Sequence, residues 1–219
     1  MGNTNLMLFI CLAAPLSMMF FIFKGRSRQI LAFLFAGIFM CMLAGEINGL
    51  CLSKTDSNIW FLTVNVTPIV EEVLKALPVV FIAFVLKPDS QFLLEAAIMV
   101  GVGFATMENV CLLFGSSNAL SAWIIVSRGI GAGMMHGVST LAVGYSMTFA
   151  SSKRKLSYVG TIAALSMAII YHSVYNIMVQ SDYPLIGILL PIVTFIPFLV
   201  LLKRKSREYS RKVRCSCSV

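Results

Sequence analysis

The stretch that decides the fold is T-P-I-V-E-E-V-L-K-A-L-P-V-V-F-I-A-F-V-L, residues 67–86. Its length and apolar character read as a membrane crossing, which takes about 20 residues. Yet it holds Glu71, Glu72 and Lys75 within five positions. A charged side chain near the bilayer centre costs at least ~2.5–3.5 kcal/mol on insertion scales, so such groups face protein or a water-filled interior. Three of them together mark the chemical centre, and the rest of the chain is read by what it points there.

The composition agrees with a membrane setting. Of 219 residues, 58% are hydrophobic and only 12% charged, against roughly 25% charged in soluble domains; the mean hydropathy is +0.90. The reading is an all-α polytopic transmembrane bundle, one integral membrane domain over residues 1–219 with a motif-bearing core at about 67–179. The net charge of +8 sits in short clusters between apolar runs and in the tail, so it implies no nucleic-acid partner; the partner it does imply is the lipid bilayer. No C-x-x-C pair occurs among Cys11, Cys41, Cys51, Cys111, Cys215 and Cys217, which argues against a zinc ribbon or a thioredoxin-like site. Cys215 and Cys217 follow a basic stretch but form no C-a-a-X box. The first apolar run lacks a basic n-region and a small-residue cleavage site, and is expected to be a retained span.

Seven apolar runs follow in order: residues 6–23, 30–50, 60–86, 92–114, a fifth within 119–150, 158–179 and 185–202. Residues 119–150 exceed one crossing, and Arg128 with Gly129, Gly131 and Gly133 is expected to divide them into a surface segment and a span beginning near Ile130. Polar links are expected at 51–58, 115–118 and 181–183. Lys24, Arg26 and Arg28, then Lys87, then Lys153, Arg154 and Lys155, and finally the 203–219 tail fall on alternate connections. That alternation predicts about seven spans, N-terminus outside and C-terminus cytoplasmic, and places Glu71 and Glu72 near the outer face.

Further polar groups interrupt the later runs. Glu108 and Asn109 lie in the fourth, and the chain's two histidines, His136 and His172, lie in the fifth and sixth. His172 and Asn176 are four residues apart and share a helix face, as do Phe104 and Glu108. Taken singly, His136 or Asn176 reads as an interhelical hydrogen-bonding group, and Gly133 with Gly137 as a close-packing G-x-x-x-G pair. Lys75 reads as a neutralising partner for Glu71 or Glu72, and Glu95 as a solvated group near a span end. Four helices presenting such groups together read as one site.

Two imidazoles with carboxylate oxygens suit zinc; Glu108, His136 and His172 are expected to bind the metal or hold the water, with Glu71 or Glu72 activating it. A bound ion makes its water more acidic, and a neighbouring carboxylate takes the proton. A metal-free route is also open, with a glutamate as general base toward a water held by histidine. Asn176 is expected to assist polarisation. H-E-x-x-H and G-x-S-x-G are both absent. The same Glu/His/Lys set would also serve a proton- or cation-coupled transporter as a relay, and a non-catalytic scaffold is the third reading.

E-E-x-x-K (Glu71–Lys75), F-x-x-x-E-N (Phe104–Asn109), H-G-x-x-T (His136–Thr140) and H-x-x-x-N (His172–Asn176) together resemble the PrsW intramembrane proteases. That family belongs to a wider superfamily with the type II CAAX prenyl endopeptidases and the bacteriocin-processing Abi proteins. The resemblance spans residues 68–176 in motif order. It implies a helical membrane endopeptidase, with Glu71, Glu72, Glu108, His136, His172 and Asn176 as functional residues. The CAAX branch carries Arg after its glutamate pair and His in the second motif. Lys75 and Glu108 stand here, so the resemblance is to the PrsW branch. It further implies a membrane-anchored protein substrate, for which an anti-sigma factor is the family precedent, and a bacterial plasma membrane.

Overall fold

The computed structural model describes residues 2–54, 58–115, 122–149, 154–181 and 184–216, and all regular elements among them are helical. They are α1 (Gly2–Ile22), α2 (Gly25–Lys54), α3 (Ile59–Phe61), α4 (Thr67–Phe81), α5 (Ser90–Gly115), α6 (Ala122–Met147), α7 (Arg154–Val179) and α8 (Pro184–Ser216). π-helical turns at Leu62–Val66 and Ile82–Leu86 join α3 to α4 and extend α4, so seven helical segments follow the seven apolar runs. Among the described residues, Gly25–Lys54, Ser90–Gly115 and Ser157–Val179 are long and apolar enough to cross a membrane, and Leu6–Ile22 and Leu185–Val200 are shorter apolar helices. The expected links at 51–58, 115–118 and 181–183 fall partly outside the described residues, as do Lys153 and Cys217.

Helix α4 is polar inside and apolar outside. Ile69, Val73, Leu77 and Phe81, four residues apart, form an exposed stripe, while Glu71, Glu72, Lys75 and Val79 are buried. A soluble helix has the opposite arrangement. That arrangement suits a helix in an apolar surrounding, and the charges find protein partners.

Close backbone approach sets the crossings. A Cβ on Gly37 would collide with the Val100 carbonyl, and one on Gly103 with that of Leu34, so α2 and α5 meet through glycines. At Gly101 an added Cβ would lie 2.5 Å from the carbonyl oxygen of His136 and 2.9 Å from Gly137 Cα. Gly101 thus lets α6 rest against α5 at the level of the histidine. By contrast, a Cβ on Gly133 or Gly137 would meet nothing within 4 Å. A side chain at either glycine would point away from the neighbouring helices; with Gly129 the pair lines a cavity of about 340 Å³.

The expected division of residues 119–150 is also corrected. Helix α6 runs unbroken from Ala122 to Met147. Glycine within a helix costs about 1 kcal/mol, too little to force a break, and Arg128 has a partner in the bundle (below). Glu95 is not merely solvated: it accepts from Arg26 Nε at 3.0 Å and from Gln91 at 2.9 Å.

Candidate active site

Four helices bring the polar groups together. Lys75 is fully buried; its ammonium donates to Glu72 Oε1 at 2.6 Å and lies 2.6 Å from His136 Nδ1. An ammonium can only donate, so Nδ1 is the acceptor. His136 Nε2 therefore carries the ring proton and donates to Glu108 Oε2 at 2.7 Å. Arg128 donates to the other oxygen, Glu108 Oε1, at 2.9 Å. The Phe104 ring lies 5.0 Å from the Lys75 ammonium, a cation–π distance, which gives the phenylalanine of F-x-x-x-E a task beside Glu108.

His172 is arranged in parallel. Its Nδ1 lies 2.8 Å from Glu72 Oε1. Glu72 already accepts from Lys75, so Nδ1 donates to it and the lone pair sits on Nε2. That lone pair faces Glu71 Oε2 at 3.9 Å, beyond hydrogen-bond range. Glu71 Oε2 is buried and has no hydrogen-bond partner. Two potential ligand atoms thus confront one another inside the bundle beyond hydrogen-bond range.

The backbone holds this arrangement through an irregularity in the 59–86 segment. In the π turn, the Thr67 N–H bonds to Leu62 O. The next residue, Pro68, has no N–H, so the Thr63 carbonyl lacks a helical donor. Asn176 fills the gap: its Nδ2 donates to Thr63 O at 2.8 Å. An amide on α7, one turn beyond His172, thereby ties that helix to the π turn that precedes α4. π turns concentrate at functional sites for this reason, since they free backbone groups.

Glu71, His136 and His172, all buried, each bring one ligand atom within 4.8 Å of the others'. Two ligands bound to one ion at about 2.0–2.2 Å can lie at most about 4.4 Å apart. The 3.9 Å separation of Glu71 Oε2 and His172 Nε2 satisfies that limit. The unpartnered Glu71 oxygen and the donor set make the cluster compatible with a metal ion. Glu72 and Glu108 sit behind the imidazoles as the carboxylates that commonly orient metal-bound histidines.

The grouping differs from the sequence expectation in one member. Glu71 stands with the two histidines, whereas both oxygens of Glu108 are engaged by His136 and Arg128. The sequence reading did not connect Lys75 to His136 or Arg128 to Glu108. The signal for the second was the presence of a lone cation in an apolar run. Glu108 and Arg128 are also the open side of the cluster: their side chains are 27% and 24% exposed, against 1% for Glu72.

Carboxylates and imidazoles from four helices thus form a mostly buried polar centre, compatible with a metal ion, in a bundle with many exposed apolar side chains. The profile of the PrsW family intramembrane metalloproteases matches residues 17–202, and the chain belongs to that family. It is an integral membrane peptidase. No curated protein and no solved structure matches it. The family is one of metalloproteases, so the metal-free glutamate route has no support, and the transporter reading is not favoured.

Proposed function

We propose that the protein is an endopeptidase that hydrolyses a peptide bond in or near the membrane segment of a membrane-anchored protein. The observation that carries this reading is the unpartnered Glu71 Oε2 facing His172 Nε2 at 3.9 Å. Glu71, His136 and His172 would hold a divalent ion, and zinc suits two imidazoles with one carboxylate. When bound, the ion supplies Lewis acidity toward a carbonyl or a water.

The remaining groups divide the work. Glu72 fixes the His172 tautomer, and Glu108 fixes that of His136. Glu71 serves as a ligand, and both Glu108 oxygens and Glu72 Oε1 are engaged, so Glu72 Oε2 is the oxygen assigned to take the proton of the attacking water. One Asn176 amide hydrogen holds Thr63 O, which leaves the second for the substrate carbonyl. Water and substrate approach from the Glu108–Arg128 side.

A membrane-anchored anti-sigma factor, cut to begin regulated proteolysis, is the substrate class the family precedent supports. The chain crosses a bacterial plasma membrane about seven times as one integral domain, N-terminus outside, with a basic cytoplasmic tail at 203–219; the alternation of its basic clusters supports this topology. The test is cleavage of a single-span substrate in proteoliposomes. Glu72→Ala and His172→Ala abolish cleavage while insertion is unchanged, and no ion flux accompanies the wild type. Cleavage surviving in both variants would refute the assignment.

A further inference from the structure

Every ring nitrogen of the two histidines except one has a hydrogen-bond partner at 2.8 Å or less: Lys75 and Glu108 on His136, and Glu72 on His172. The exception, His172 Nε2, faces Glu71. A ring nitrogen has a single in-plane position for a proton or a lone pair. An ion that takes His136 as ligand must therefore displace either Lys75 from Nδ1 or Glu108 from Nε2. These alternatives are chemically distinct. Losing Glu108 would break the carboxylate–imidazole pair that orients metal-binding histidines elsewhere. It would also leave Arg128 as the remaining partner of the Glu108 carboxylate among the described residues. Losing Lys75 leaves the ammonium its second partner, Glu72 Oε1 at 2.6 Å, one helical turn away on the same helix, and the face of Phe104 at 5.0 Å. The second exchange strands no charge.

We propose that Lys75 is the resident cation of the metal site: its ammonium occupies His136 Nδ1 in the ion-free protein and yields that nitrogen when a divalent ion binds. The inference rests on the metal-site reading above and deepens it. Its physical sense lies in the formal charges. Glu71, Glu72 and Glu108 are three carboxylates within a membrane bundle, and Arg128 pairs with one of them. Without Lys75 the ion-free site would hold two carboxylates with no cation beside them, a costly state for a chain entering a bilayer. Lys75 stabilises the site until the metal arrives and then withdraws to Glu72. Metal and ammonium compete for one atom, so the lysine limits metal affinity while preserving the pocket that receives the metal.

The chain has only two histidines, so four ring nitrogens report the exchange. The experiment is nitrogen NMR of ¹⁵N-histidine-labelled full-length protein in detergent, before and after titration with zinc, with His172→Gln to assign the signals. In the ion-free protein His136 Nδ1 is unprotonated and Nε2 protonated. Zinc moves His136 Nδ1 and His172 Nε2 to metal-bound shifts, while His136 Nε2 and His172 Nδ1 keep their protons. Zinc taken up through His136 Nε2 would overturn the proposal and leave the metal site standing. No zinc-dependent change at either histidine would overturn both. In parallel, Lys75→Met binds zinc at least about tenfold tighter, equivalent to roughly 1.4 kcal/mol. A folded Lys75→Met protein with unchanged or weaker zinc affinity would also overturn the proposal. Should that variant not fold, the wild-type titration decides alone.

Discussion

Glu71 Oε2 and His172 Nε2 point at each other across 3.9 Å within a buried cluster, and the glutamate oxygen has no hydrogen-bond partner. An orphaned carboxylate oxygen inside a helical bundle is a cost that folding alone does not explain. It follows that Glu71→Gln loses proteolysis yet keeps or raises the unfolding temperature of the ion-free protein. That pattern is expected where a site trades stability for function. Thermal unfolding in detergent beside a cleavage assay checks it; a clear loss of stability would show that Glu71 has a structural partner.

The carboxylates behind the imidazoles behave differently. Glu108→Gln removes the acceptor charge from both His136 and Arg128, and Glu72→Gln does so for His172 and Lys75. Loss of an outer carboxylate costs about 10–100-fold in metal affinity or activity. Zinc titration of Glu108→Gln should fall in that range, and unchanged affinity would remove Glu108 from the site.

Two glycines on facing helices give opposite outcomes. Gly101→Ala places a methyl 2.5 Å from the His136 carbonyl oxygen, so α6 must move from α5. Overpacking of this kind costs about 1–3 kcal/mol, and zinc affinity falls with it because His136 is displaced. Gly133→Ala meets nothing within 4 Å and gains about 0.5–1 kcal/mol from helix propensity. Unfolding temperatures of the two variants compare these expectations directly.

Asn176→Leu deprives Thr63 O of its donor. An unsatisfied carbonyl costs up to about 1–3 kcal/mol when buried and less at this part-buried position, and the loss of register between α7 and the π turn lowers cleavage by shifting His172. A thermal unfolding curve identical to wild type would show that the Thr63 contact is not structural.

Much of this architecture was legible in the sequence, because helical periodicity and the cost of buried charge are local. Glu71, Glu72, Lys75, Phe104, Glu108, His136, His172 and Asn176 could be seen as four polar faces on four helices, and the all-α fold followed from the apolar runs. What local pattern does not carry is the partner across the bundle. Thr63 and Asn176 are 113 residues apart, and their bond exists because Pro68 removes a donor. That Glu71 reaches His172 Nε2 while Glu72 takes Nδ1 depends on how α4 is rotated against α7, so Glu108 was expected where Glu71 stands. Gly101 and Gly133 look alike in sequence; only the neighbouring helix distinguishes a contact from an open wall. Arg128 seemed to demand a break in residues 119–150 because its acceptor, Glu108, lies on another helix.

The most direct test of the central claim is the zinc content of detergent-purified protein, with wild type, Glu71→Gln and His172→Gln measured side by side after zinc is supplied and the excess removed. The account predicts close to one ion per wild-type chain and near-complete loss in both variants, with folding retained. Wild-type protein that binds no zinc, or variants that keep it, would contradict the account.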